Sequence, residues 1–327
     1  MCTCVSYVNG SHYFGRNLDL EYSYQESVTI TPRNYPMSFR KKGVISSHYA
    51  LIGMAFVQDG YPLYYDATNE VGLSMAGLNF PYYAHFEEAK EDEKDNIAPF
   101  EFIPWVLSQC KTLAEAKKLL SHLRLINLAY SPNLPLAPLH WMISSKEGSI
   151  VVESVKEGLK VYDNPVGVMT NNPPFPLQLF RLNDYRALSS ESRENTFSPD
   201  LPLEEYSRGM GAIGLPGDLS SSSRFIRASF VKMNSVAKKE EKSSVSQFFH
   251  ILTSVEQQRG CCKLGKDTYE ITIYSSCCNT EKGIYYYRTY DNPTIHALDM
   301  HAENLDGSKL ASYPLMTATE ITFDNRK

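Results

Sequence analysis

The chain lacks the features that mark several specialised protein classes. No apolar run approaches the roughly 20 residues needed to cross a bilayer, so no membrane span is expected. The opening MCTCVSYVNGSHYFGRNLD has no basic start followed by an apolar stretch. That argues against a secretory leader and against lipidation of Cys2, and the expectation is a cytoplasmic protein. Positive charge is not in excess: 32 Lys and Arg stand against 37 Asp and Glu, a net −5. This gives no electrostatic footprint for nucleic acid. The seven cysteines are too few, and odd in number, for a disulfide scaffold of this size. The doublets Cys261-Cys262 and Cys277-Cys278 lack the C-x2-4-C spacing of zinc sites and read as small buried hydrophobes, so no metal is expected. None of the eight histidines lies in an H-E-x-x-H pattern, and there is no G-x-S-x-G elbow. The stretch GLPGDLSSSS has no phosphate-loop lysine and reads as a turn leading into a helix.

What is present is a core-forming composition, 43% hydrophobic and 21% charged over 327 residues. Strand-like segments dominate, among them SVTITPRN, YALIGMAFV, LHWMISS, SIVVESV, YEITIYSSCC and GIYYYRTYD. CVSYV and HYFGR flank Asn9-Gly10, a strong hairpin signal. Helical spacing occurs in APFEFIPWVLSQC, in TLAEAKKLLSHL behind a T-x-x-E cap, in SRFIRASFVKMNSVA and in SVSQFFHILTSV. Strands and helices come in separate runs, which fits a layered α+β protein. No repeat or low-complexity linker divides the chain, so a single domain over residues 1–327 is expected. The charged stretch 87–96 and the turn-rich 201–223 are expected on the surface.

Cys2 raises a chemical question. Methionine is removed readily before a small residue, and removal would place a thiol and a free α-amine on one residue. A free α-amine titrates near 7.7–8.0 and suits a general base at neutral pH, while an ionised thiol is a strong nucleophile. The hairpin brings FGRNLD back beside Cys2, with Arg16 to favour a thiolate and Asp19 to hold the amine. Positions three apart on a strand face opposite ways, so the expectation includes a bulge or strand end near Asn17 and Leu18. On the residues alone, an ordinary ion pair explains Arg16 and Asp19 equally well, and TNNPP reads as a turn.

MCT followed by YFGRNLDLEYSY closely resembles the choloylglycine hydrolase family, the conjugated bile acid hydrolases and penicillin V acylases. The resemblance continues through NEVGLSMAGLNFP, LHWMIS, VMTNNPPF, GLPGDLSSSSRFIR, IYSSCC and KGIYYYRTYDN, essentially the whole chain. It implies an N-terminal-nucleophile hydrolase with a four-layer αββα sandwich, Met1 removed and Cys2 as nucleophile. It further implies that Arg16 and Asp19 are a catalytic pair, that Asn171 donates to the oxyanion, and that Arg224 lies beside the thiol. Asn79 falls where bile salt hydrolases carry asparagine. The implied substrate is a conjugated bile acid, cleaved at its glycine or taurine amide without a cofactor, by a homotetramer. Expected apolar contacts to the steroid are Leu18, Tyr24, Tyr65, Leu134 and Leu136. The alternatives are penicillin V acylase activity, a non-catalytic bile-acid or lipid-binding protein that keeps Met1, and a zinc-binding structural protein.

Overall fold

The computed structural model describes residues 1–325 and contains two large sheets packed face to face. The first has six strands in the order Val168–Met169, Cys2–Asn9, Ser11–Leu20, Ile271–Asn279, Ile284–Thr289 and His296–Asp299. The second has eight, in the order Gly158–Asp163, Gly148–Val155, Leu139–Ser145, Ser74–Asn79, Tyr61–Asn69, Leu51–Gln58, Ser27–Thr31 and Ala311–Pro314. All the pairings within these two sheets are antiparallel.

Alternation along each strand dictates the layers. Inward residues such as Cys4, Phe14, Met54, Leu78, Met142 and Tyr285 join one core, which also takes in Phe225, Phe248 and Leu252 from helices Ser221–Asn234 and Glu241–Thr253. Outward residues of the eight-stranded sheet (Met75, Trp141, Ile143 and Val152) form a second core with Phe102, Trp105 and Leu120. The last three come from helices Phe102–Leu107 and Leu113–Ser121. Helix, sheet, sheet, helix is the expected αββα order, held by burial on both faces of each sheet.

Local chemistry matches the sequence in most places. Gly10 turns the first hairpin at φ +76°, a backbone region that favours glycine. Thr112 caps its helix by accepting the Glu115 N–H at 3.1 Å, a contact worth about 1 kcal/mol. Glu115 itself reaches back to the Lys111 N–H at 2.8 Å, one residue before the cap. Pro104 sits in the first turn of its helix, where its missing N–H costs nothing, so it causes no defect. Helix Phe175–Arg181 was not foreseen. Cys277 and Cys278 are buried as expected, but Cys261 is exposed and Cys262 only half-buried. The reason is that residues 261–262 lie in the exposed turn before the short ribbon Lys263–Gly265 and Thr268–Tyr269, not in a sheet interior.

Candidate active site

The first two strands pair along their full length, with Cys2 opposite Leu18 and Cys4 opposite Arg16. Even-numbered side chains of both strands therefore face the eight-stranded sheet, and odd-numbered ones face the helices. Arg16 follows from this register. Its Nη2 donates to Cys2 Sγ at 2.7 Å, and its Nη1 donates to the carbonyls of Gly77 at 2.5 Å and Tyr65 at 3.0 Å. The guanidinium is 1% exposed, so these contacts replace its water, and losing one would leave a buried charge partly unpaired. Gly15 lets the Ser11–Leu20 and Ile271–Asn279 strands lie close: a Cβ there would be 2.0 Å from the Ser276 carbonyl oxygen.

Asp19 points the other way. Its Oδ1 accepts from the Thr272 hydroxyl at 2.6 Å, and its Oδ2 is buried without a hydrogen-bond partner. Burial pushes the carboxyl's pKa up, opposed by Arg224, the chain's α-ammonium and the Thr272 hydroxyl. The expected break near Asn17 and Leu18 does not occur, because the Ser11–Leu20 strand runs on without interruption. The irregularity lies in its neighbour, between Thr272 and Tyr274. It places Thr272 and Ser275 on the same outer side, where they bond Asp19 and Asn17. Arg16 and Asp19 thus serve opposite sides of Cys2 rather than meeting at its sulfur.

Two distant segments close the site. Helix Ser221–Asn234 begins at the N-cap Ser220 and carries Arg224 in its first turn. That side chain, completely buried, donates to Cys2 O at 2.5 Å, Thr3 Oγ1 at 2.6 Å and Asn171 Oδ1 at 2.8 Å. Arg224 consequently hydrogen-bonds the Cys2 main chain, and its charge lies near enough to the Cys2 side chain to interact with it. Asn171 Oδ1 also accepts the Cys2 N–H at 2.8 Å, which orients the amide, and its Nδ2 donates to the Asn79 carbonyl at 2.7 Å. One N–H of that amide group remains for another acceptor. Gln178 and Ser221 brace the Asn171 main chain, at 3.3 and 2.9 Å.

At the amino end, the Met1 α-ammonium donates to the Asp19 carbonyl at 2.7 Å and pairs with Glu270, which is 4% exposed. The arrangement thus brings Cys2, Arg16, Asp19, Asn171 and Arg224 together and adds the Asn79 main chain. Asn79 itself is exposed. Of the expected apolar contacts, Leu18 is buried opposite Cys2, Tyr65 is half-buried over the inter-sheet core, and Tyr24 is exposed. Leu134 and Leu136 are half-buried in the loop before Leu139–Ser145. Sequence reasoning missed Thr3 and Ser221, which lie inside quoted motifs without a role of their own, and Gln178, Glu270 and Thr272, which carry no motif; all five act through tertiary position. Among the described residues, no three His, Cys, Asp or Glu side chains are grouped so as to hold a metal ion.

Chemically, this is a thiol beside a fixed cation, on a residue whose main chain is held at both its N–H and its carbonyl. A search of family models matches residues 2–313 to linear amide C–N hydrolases of the choloylglycine hydrolase family. The chain is 56% identical over 320 residues to a bile salt hydrolase/transferase of Lactiplantibacillus plantarum, covering 98% of each. It is 39% identical over 329 residues to a bile salt hydrolase/transferase of Clostridium perfringens, covering 99% of this chain and 100% of the other. Among solved structures, the C2A mutant of the Clostridium perfringens conjugated bile acid hydrolase superposes with a TM-score of 0.92 at 39% identity, over 99% of this chain and 100% of that one. A penicillin V acylase from Agrobacterium tumefaciens shares the fold at a TM-score of 0.70 and 19% identity, over 97% of this chain and 94% of that one.

Proposed function

This chain belongs to the choloylglycine hydrolase family of linear amide C–N hydrolases, and on that premise we propose how it works. It is a bile salt hydrolase that cleaves the amide joining a bile acid to glycine or taurine. The observation that carries the catalytic reading is the Arg16–Cys2 contact, a buried cation 2.7 Å from the sulfur of the residue after Met1.

In this reading Met1 is removed and the freed Cys2 α-amine takes the thiol proton. Arg16 steadies the resulting thiolate. Asp19 Oδ2, buried and without a partner, is a ready acceptor for the ammonium so formed. The thiolate attacks the amide carbonyl. The spare Asn171 N–H and a donor from Asn79 receive the oxyanion, where one well-placed donor is worth roughly 3 kcal/mol. Arg224 acts at one remove by holding Cys2 O and Asn171 Oδ1. The C–N bond breaks as the leaving amine takes the proton from the Cys2 ammonium, leaving a thioester. Water, deprotonated by the same amine, then releases the bile acid and restores the thiol. Leu18, Tyr24, Tyr65, Leu134 and Leu136 are proposed to contact the steroid.

The whole chain acts as one domain in this account. No described helix is long and apolar enough to cross a membrane. We extend the proposal to a cytoplasmic homotetramer. Support for self-association comes from the exposed apolar side chains Phe197, Leu201, Leu203 and Tyr206 on one segment.

The deciding experiment is the initial rate of amine release from glycine- and taurine-conjugated bile salts beside penicillin V at equal concentration. A strong preference for the bile salts is expected. Preference for penicillin V would keep the chemistry but overturn the substrate, and no turnover of either would leave a binding protein.

A further inference from the structure

A buried carboxylate lies near Arg16, on the inter-sheet side of the site. Asp66, 2% exposed, points from the Tyr61–Asn69 strand into the space between the sheets. Its Oδ1 accepts from the Tyr285 hydroxyl at 2.7 Å, and its Oδ2 accepts from the Tyr274 hydroxyl at 2.9 Å, both donors coming from the six-stranded sheet. Its main chain places it beside Arg16: the guanidinium donates to the carbonyl of Tyr65, which is bonded to the Asp66 nitrogen. The same guanidinium donates to the carbonyl of Gly77, the neighbour of Ala76, which is the register partner of Asp66.

We propose that Asp66 is a positioning residue for the nucleophile: its tyrosine-held carboxylate balances the charge of Arg16 and so sets how strongly Arg16 attracts the Cys2 thiolate.

Three features carry this, and it rests on the reading of Cys2 as nucleophile. First, both carboxylate oxygens accept from hydroxyls, which the ionised form does fully; a protonated carboxyl would present its own O–H to one of them. Burial and the neighbouring Asp66 also push both phenols upward in pKa, so both remain donors. Second, the groups whose charge bears on Asp66 are few. Arg16 is the cation, Tyr274 and Tyr285 are hydroxyl donors, and Cys4 and Cys278 are buried thiols whose pKa values are pushed upward mainly by burial. Burial, the largest influence, leaves the Asp66 carboxyl above its ordinary value, with Arg16 and the two hydroxyls opposing that rise. Third, Arg16 is already tethered by two main-chain carbonyls, so tethering does not require Asp66. A buried guanidinium facing only carbonyls and a thiol would over-stabilise the thiolate, and a thiolate held too strongly is a poorer nucleophile.

The test is the pH dependence of Cys2 alkylation by iodoacetamide, followed at the level of the Cys2 peptide, in wild type and Asp66→Asn. This needs no substrate, so a failure of the bile-salt assignment leaves it intact. Removing the negative charge should move the alkylation midpoint about one pH unit lower, tenfold in thiolate population. In turnover, kcat should fall about threefold above both midpoints, since nucleophilicity follows basicity with a slope near 0.5, with KM little changed. An unmoved midpoint with a lowered melting temperature would make Asp66 a structural clasp only and overturn the proposal, as would a midpoint that moves higher. If Asp66→Asn fails to fold, Tyr274→Phe/Tyr285→Phe strips the carboxylate of its donors and favours its protonation. It should move the midpoint in the same direction, and no movement there would also overturn the proposal.

Discussion

On the inner face of the Ser11–Leu20 strand, Arg16 donates to the Cys2 sulfur between two packed sheets. On the outer face, Asp19 lies among Thr272, Arg224 and the chain's amino end. Both residues are almost wholly buried, yet the period-2 geometry of a strand gives them different partners. One strand can therefore set different electrostatics on its two faces. The inner face addresses the thiol, and the outer face holds Asp19 near the chain's amino end. Arg224 and Asn171 join the outer system, gripping Cys2 at its carbonyl and its N–H.

The most severe way to break this arrangement removes the residue both faces serve. Cys2→Ser should lower bile-salt turnover by at least about a thousandfold, as losing a catalytic nucleophile generally does; turnover near wild type would refute nucleophilic catalysis by Cys2. The next variants separate the faces. Arg16→Leu should cost on the order of a hundredfold in kcat and move the Cys2 alkylation profile to higher pH. Asp19→Asn should cost a similar factor in kcat while leaving that alkylation profile nearly in place. Equal displacement of both profiles would show that the faces do not act separately.

A milder probe is Thr272→Val, which removes the hydroxyl donated to Asp19. It should lower kcat about tenfold or less and stability by about 1 kcal/mol, read from turnover and urea melts, with the alkylation profile unmoved. Furthest from catalysis is His12, buried at the turn end of the same strand and bonded to Ser6, Ser144 and Thr280. Burial pushes its pKa down to about 4, against about 6.5 in an unfolded chain. Its neutral form is therefore the native one. The stability this lends is present above pH 6.5 and falls as pH drops toward 4, at about 1.4 kcal/mol per unit. His12→Gln should flatten the melting temperature over that window and leave activity at pH 7 within about twofold. A melting curve as steep as wild type would refute the assignment.

Much of this organisation was legible in the sequence because it is local. The Asn9-Gly10 turn fixes the first hairpin, and from its register follow the opposition of Cys2 and Leu18 and the approach of Arg16 to the thiol. Helices Ser221–Asn234 and Glu241–Thr253 follow from their apolar spacing. Assignments to Asn79, Asn171 and Arg224 came through family resemblance, because their approach to Cys2 spans 77 to 222 positions and no local rule reports it. The break expected near Asn17 and Leu18 rested on both side chains meeting the thiol. Arg16 and Asp19 instead face opposite sides, so plain alternation suffices, and the irregularity at Thr272–Tyr274, on a strand paired across some 250 residues, leaves no trace in the spacing of GRNLD. Glu270, Thr272 and Asp66 were invisible because they carry no motif; each matters only through what folding sets against it. Cys261 was misjudged because a doublet next to a turn looks in sequence like a doublet inside a strand.

The chemistry proposed here depends on Cys2, freed of Met1, attacking the amide and carrying the acyl group. The direct measurement is the intact mass of the protein quenched during turnover of a conjugated bile salt. The expected result is a chain lacking Met1, with a bile acyl adduct that maps to Cys2 and disappears as substrate is exhausted. An active enzyme that retains Met1, or turnover without any adduct at Cys2 under rapid quench, would contradict it.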